Sequence, residues 1–318
     1  MKKIDYLKIR TNLSIKFLRQ LSKINIINDL KNYINKDFDN SEVISYIGLP
    51  FMFFDYINLD KKFKSKNKKE LNKKITKRIK HIGKFDYNLW REDKGLDKIL
   101  LKFDFKNNIF YDQIIDKIDI VEDLKKYRGN KYIEKYFINF KNEQVVYTFG
   151  KLGYSCCVEF PILGMSYVFF DDSLSTLEGL FNFIHEIGHS VHNSFKYSNN
   201  KFSIEDDETM AYFIQYELIK TIFPKYKEKF LLHLYDLYKS VCVKYEFEKY
   251  LYEFRTYSFK SRTSVFRKIL KKHGFSEQYQ ETWIYDNDYW NNPFYSGVYV
   301  KALETLFINN FDLSYVMP

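Results

Sequence analysis

The chain reads Phe183-Ile184-His185-Glu186-Ile187-Gly188-His189 across an H-E-x-x-H pattern. On a helix, residues four apart sit on one face. His185 and His189 can therefore present two imidazole nitrogens to one metal ion. Glu186 is rotated from them by about 100°, which suits it to a water molecule rather than to the metal. Two ligands and one general base on a single rigid element is the pairing that zinc peptidases need. Apolar Phe181, Ile184, Ile187 and Val191 interleave with the motif, as a buried active-site helix requires. Three of the six histidines, His185, His189 and His192, fall within eight residues.

A catalytic zinc takes a third protein ligand and keeps an open position. His192 shares the helical face, but it lies about 10.5 Å along the axis from His185. No Gly or Pro follows His189 to break the helix, so His192 is expected to face substrate or support the site instead of ligating. A better source of the ligand is Glu205-Asp206-Asp207-Glu208-Thr209-Met210-Ala211-Tyr212-Phe213. Acids are favoured at a helix start by its dipole, so some of these four are caps. Periodicity favours Glu208, with Glu205 in reserve. Ala211, Tyr212 and Gln215 follow on the Glu208 face, and small Ala211 would let this helix approach the motif helix closely.

Before the motif helix the texture is different. Val145–Phe149 is rich in β-formers, Cys156–Phe160 is a second candidate strand ended by Pro161, and Met165–Phe170 is a third. Turn residues separate them, which predicts a small antiparallel sheet. Ser173 is positioned to cap the motif helix, with Thr176 and Glu178 in its early turns. Elsewhere helical spacing dominates: Leu13, Phe17, Leu21 and Ile24, then Ile114, Ile118 and Val121. After the motif it continues through Tyr212–Ile219, Phe230–Val243 and Phe247–Phe259. Residues 1–142 read as a helical N-terminal lobe and residues 143–318 as the catalytic domain.

Composition narrows the classes further. Five prolines and 11 glycines in 318 residues favour long helices over a turn-rich β architecture. Cys156, Cys157 and Cys242 give an odd count without regular spacing, which speaks against a disulfide framework. The vicinal pair could bind soft metals, but two residues of a buried strand is the favoured reading. Charges interrupt the first 20 residues, so no signal peptide is expected, and no apolar run has the length of a membrane span. The expected location is cytoplasmic, with no membrane partner. Between Lys61 and Lys80 stand 11 Lys or Arg and one acid, a net +10 that equals the charge of the whole chain. Such a run can attract nucleic acid. With one aromatic, Phe63, and no stacking pattern, it reads as a solvated helix or loop, and no nucleic-acid partner is expected.

His185-Glu186-Ile187-Gly188-His189-Ser190-Val191-His192 resembles the H-E-x-G-H-x-x-H signature of the thimet oligopeptidase and oligoendopeptidase F family, and most of all the oligoendopeptidase F branch. Lys151-Leu152-Gly153-Tyr154-Ser155 resembles the K-x-G-A-Y-S segment of that branch, without the Ala. Pro161-Ile162-Leu163 is similar to the strand before the motif helix. Glu208-Thr209-Met210-Ala211-Tyr212-Phe213 resembles the helix that carries the third zinc ligand. Tyr245-Glu246-Phe247-Glu248 resembles the F-A-E-F-E stretch, and Pro293-Phe294-Tyr295 with Tyr299 resembles the tyrosine-rich segment that closes over substrate.

This resemblance runs from about residue 145 to 305. It implies a mainly α, gluzincin-type helical peptidase fold with a deep channel, and cleavage of short peptides. It implies one Zn²⁺ per chain on His185, His189 and Glu208, with Glu186 as general base. Tyr299 is the expected donor to the oxyanion, with Tyr295 as its partner. Family members are usually much longer, so the resemblance implies a reduced N-terminal lobe as the expectation here. The family also places a His shortly before the tyrosines; here the segment is Asp288-Tyr289-Trp290-Asn291-Asn292, and Tyr289 is the candidate to stand in. The strand Met165–Phe170 is expected to pair with the substrate backbone, with Tyr167 at the contact. Two other readings compete: a catalytically weak peptide-binding relative, against which the intact Glu186 speaks, and a zinc carboxypeptidase. The latter would need Arg255, Arg262 or Arg267 for the substrate carboxylate.

Overall fold

The computed structural model describes residues 68–82, 120–147, 155–160, 165–170, 174–196, 204–254, 258–286, 289 and 295–313. The expected helical faces at Leu13–Ile24 and Ile114–Ile118, and the segment Lys61–Asn67 of the basic run, lie outside these residues.

The described chain is mainly helical. In order it forms α1 (Lys68–Ile82), α2 (Ile120–Leu124) and α3 (Lys131–Asn139). Strands β1 (Val145–Tyr147), β2 (Cys156–Phe160) and β3 (Met165–Phe170) follow. Then come α4 (Leu177–Lys196), α5 (Ile204–Ile222), α6 (Lys227–Glu253), α7 (Phe259–Lys272) and α8 (Tyr295–Ile308). All three expected strands are present before the motif helix, which is α4.

The sheet order is β1-β3-β2. β2 and β3 are antiparallel, as expected, with Cys157 opposite Val168 and Val158 opposite Tyr167. β1 joins the other side of β3 in parallel, with Val145 opposite Val168. The sheet is therefore mixed, because β2 returns beside β3 while β1 enters from the opposite edge. β3 is the central strand: β2 pairs along Met165–Phe169 and β1 along Val168–Phe170, while the Ser166 carbonyl on the β1 side accepts from the Gln144 side chain at 2.9 Å, so little of the edge expected to take the substrate backbone is left for it. Cys156 and Cys157 follow one another in β2, so their side chains project to opposite faces. Cys156 is buried and Cys157 half-buried, and the two thiols cannot share one ion.

Helix α4 lies against this sheet and starts at Thr176. The Thr176 side-chain oxygen accepts from the Gly179 N–H at 3.1 Å, and the Thr176 carbonyl accepts from Leu180. That is an N-cap arrangement; Ser173, the residue expected there, lies outside the described residues. Phe181, Ile184, Ile187 and Val191 are all fully buried.

Two apolar cores hold the helices together. The larger surrounds α4 with residues from α2, α3, β1, β3, α5, α8 and the Phe230–Tyr245 stretch of α6. The second gathers Leu71, Ile75 and Ile79 of α1 with Phe247 and Leu251 of α6, Phe266 of α7, Trp283 and Tyr289. The basic run thus forms, from Lys68 onward, an amphipathic helix docked by its apolar stripe, with Lys69, Lys73 and Lys77 exposed. Arg262 is fully buried beneath it and donates to the Asn72 side-chain oxygen at 2.6 Å and the Thr76 hydroxyl at 3.1 Å. α6 has 27 residues and contributes to both cores.

Candidate metal centre

α4 presents His185 and His189 on one face, and their rings meet edge to face at 4.7 Å. α5 brings Glu208 against them. Its Oε2 stands 3.4 Å from His185 Nε2 and 3.6 Å from His189 Nε2. Close packing of the two helices makes this possible: an added Cβ on Gly188 would sit 2.5 Å from the Ala211 carbonyl oxygen. The small residue expected to permit the approach, Ala211, therefore acts together with Gly188 across the contact.

His185, His189 and Glu208 form a three-donor group whose ligand atoms lie within 4.8 Å of one another; it is the metal-capable group found among the described residues. Ligand atoms about 2.0–2.1 Å from a tetrahedral zinc ion stand roughly 3.3–3.4 Å apart, so the measured separations suit that ion. The environment points the same way. Glu208 is buried, yet its Oε2 accepts no hydrogen bond. A buried oxygen facing two imidazole nitrogens at these distances has an unmet need for positive charge. The residues present fit a zinc ion.

Without metal, protons partly meet that need. Burial opposes a charge on His189, but the carboxylates of Glu208, Glu186 and Asp207 outweigh it and push the imidazole up to about 9. Burial would raise Glu208, but the neighbouring imidazoles hold it well below the usual carboxylate range. Glu186 is raised by burial, against the pull of His189 and His185; the Cys157 backbone N–H also favours its charged form.

Several other side chains complete the surroundings. Tyr295 donates its hydroxyl to Glu208 Oε1 at 2.6 Å. Burial and the Glu208 charge keep that hydroxyl protonated far above its ordinary range. Tyr212, one turn after Glu208, lays its ring 4.4 Å from that of His185. Tyr299 is half-buried and packs edge to face on Tyr295 at 5.1 Å and on Tyr212 at 6.3 Å. Gln215 donates to the Phe181 carbonyl at 2.7 Å, one turn before His185. His233 of α6 lies tilted against the Phe181 ring at 5.2 Å, and burial pushes it down to about 4. Tyr136 of α3 hydrogen-bonds Ser190 at 2.6 Å, next to His189.

The structure brings His185, Glu186, His189, Glu208, Tyr295 and Tyr299 together and separates the remaining candidates from them. His192 is buried and turned toward α5, with its Nδ1 3.1 Å from Asp207 Oδ1 and its ring 5.3 Å from Phe195. It supports the helix pair and does not face substrate. Tyr289 is fully buried in the second core, 5.5 Å from the Phe247 ring, because its aromatic surface is used for packing. It cannot replace a substrate-facing His. Tyr167 is buried on the central strand. Glu205 belongs to α5, but its side chain lies outside the described residues.

A scan against protein-family models finds none that matches, and a search of curated proteins finds no match either. Solved structures do show similarity. One, assigned as an oligoendopeptidase F and solved at 3.1 Å by X-ray diffraction, has 17% identity and a TM-score of 0.46, covering 81% of this chain and 49% of its own. PZ peptidase A with an inhibitor has 14% identity and a TM-score of 0.44, covering 85% and 48%. A Bacillus anthracis protein, likewise assigned as an oligoendopeptidase F, has 15% identity and a TM-score of 0.44, covering 83% and 53%. The chain spans about half the length of these structures.

Proposed function

We propose that the protein is a zinc-dependent endopeptidase that hydrolyses short peptides. The observation that carries this reading is the convergence of His185 Nε2, His189 Nε2 and Glu208 Oε2 beside a half-buried Glu186. Zinc on such a donor set supplies Lewis acidity, making water acidic near neutral pH and polarising a carbonyl.

The chain's own residues do the rest. Glu186 takes the proton of the attacking water and passes it to the leaving nitrogen. Its burial brings the carboxyl nearer the working pH, where one group can both accept and return a proton. Tyr299, held between Tyr295 and Tyr212, is assigned to donate to the oxyanion that forms at the scissile carbon. The substrate backbone is assigned to the outer edge of β2, since β3 is covered by β2 along Met165–Phe169, by β1 from Val168 on and by the Gln144 side chain at the Ser166 carbonyl. The Cys157 N–H that favours charged Glu186 belongs to that strand, so β2 runs past the general base. Residues alternate along a strand, and the backbone polar groups of Glu159 face the same side as those of Cys157.

The carboxypeptidase alternative is disfavoured by where the arginines go. Arg262 is committed to Asn72 and Thr76, and Arg267 stands 4.0 Å from Glu277 on the surface. Arg255 lies outside the described residues.

The test compares wild type with Glu186→Gln, both reconstituted with zinc, on a mixed library of short quenched-fluorescent peptides. The expected outcome is turnover by wild type, none by the variant, and equal zinc content in both. Internal cleavage sites support the endopeptidase; release of single C-terminal residues would replace it with the carboxypeptidase. No turnover by zinc-loaded wild type would leave the peptide-binding relative as the better reading.

A further inference from the structure

Glu208 divides its two oxygens. Oε2 faces both imidazoles and accepts no hydrogen bond, whereas Oε1 accepts the Tyr295 hydroxyl at 2.6 Å. A carboxylate can offer a metal one oxygen or both, and the difference sets how many positions remain for water and substrate. A short hydrogen bond to a charged acceptor is among the stronger ones. Breaking it inside a buried site also leaves a polar group without its partner.

We infer that Tyr295 is a positioning residue that holds Glu208 as a one-oxygen ligand, and so keeps a coordination position open at the metal. The inference rests on the assignment of His185, His189 and Glu208 as the metal donors. Tyr295 is well fixed for this role. It opens α8, whose third residue, Gly297, packs on α6 so closely that an added Cβ would meet the Tyr245 ring at 3.1 Å. Ser296, between them, is buried. The Tyr299 ring braces Tyr295 edge to face. The first turn of α8 therefore cannot drift from α5 without disturbing α6. The expected pairing of Tyr295 with Tyr299 at the oxyanion is revised accordingly: the Tyr295 hydrogen is already engaged by Glu208, and the oxyanion role is assigned to Tyr299 alone.

The experiment loads full-length wild type, Tyr295→Phe and Tyr299→Phe with zinc and, separately, with cobalt. X-ray absorption counts the first-shell oxygens on zinc, and visible absorption follows coordination number on cobalt. Wild type and Tyr299→Phe are expected to show a single carboxylate oxygen. Tyr295→Phe is expected to gain an oxygen at longer mean distance and to lose cobalt band intensity. Metal content is expected to stay measurable, with affinity lowered by about 10- to 100-fold, as is usual for loss of an outer hydrogen bond. Identical spectra for wild type and Tyr295→Phe would overturn the inference and leave the metal centre standing. Two carboxylate oxygens in wild type would do the same, and that result needs no variant to fold. Wild type that takes up neither zinc nor cobalt would overturn the metal assignment itself.

Discussion

The backbone carbonyl of Ala211 lies so close to Gly188 that a methyl group there would stand 2.5 Å from its oxygen, a distance ordinary contacts do not reach. The obstacle is backbone on both sides, so no side chain can rotate away. Glu208 lies one turn before Ala211 on the same helix. The space at Gly188 therefore sets the distance from Glu208 to the histidines. Gly188→Ala is expected to destabilise the fold by about 1–3 kcal/mol through overpacking. It should also weaken zinc binding by at least about tenfold. Chelator competition and thermal melts measure both; unchanged zinc affinity would show that α5 can shift without moving Glu208.

Proton release should accompany metal binding. In the metal-free protein His189 is raised from 6.5 to about 9. A raised folded-state value means that protonation stabilises the folded chain. That contribution is complete below about 6.5 and is lost as pH climbs through about 9. The metal-free melting temperature should fall across this window. Zinc requires the neutral imidazole, so binding at pH 7.5 should expel about one proton, and apparent affinity should rise with pH. Calorimetry in buffers of different ionisation enthalpy reads the proton count, and a count of zero would contradict the raised His189.

Tyr299→Phe removes one hydroxyl and leaves the ring contacts with Tyr295 and Tyr212. Loss of a donor to a developing oxyanion costs about 10²–10³ in kcat. The Michaelis constant should change little, since the hydroxyl is assigned to the transition state. A kcat near the wild-type value would remove Tyr299 from the reaction.

Glu159→Pro deletes one outward N–H from β2 without touching the β2–β3 ladder. Loss of a single hydrogen bond to an extended substrate should raise the Michaelis constant about 2- to 10-fold. An unchanged constant would place the substrate elsewhere than on this edge.

Tyr136 and Ser190 join α3 to the histidine-bearing helix α4 through a 2.6 Å hydrogen bond. Tyr136→Phe is expected to cost about 1 kcal/mol. In a double-mutant cycle with Ser190→Ala the two losses should not add, because each removes the same bond. Additive losses in denaturant titrations would mean that the bond is not formed in solution.

Much of this arrangement was legible in the sequence, and the reasons differ by residue. β2 and β3 fall on the expected segments because β-formers and turn residues act locally. Their order in the sheet was not legible: nothing local in Val145–Tyr147 says that it pairs in parallel with a strand some 20 residues later. Glu208 followed from periodicity, since Ala211, Tyr212 and Gln215 share its face and all three are buried. Tyr295, Tyr289 and His192 carry both an apolar body and a polar tip. The sequence offered all three as site residues but could not say whether the tip meets substrate, a carboxylate or a core. That choice is made by contacts across long stretches of chain, such as Tyr295 with Glu208 and Tyr289 with Phe247.

α6 contributes Phe230 and Leu234 to one core and Phe247 and Leu251 to the other. About 40 Å of continuous helix therefore runs through both. Among the described residues no seam separates the two cores, and heat should melt both in one cooperative calorimetric peak.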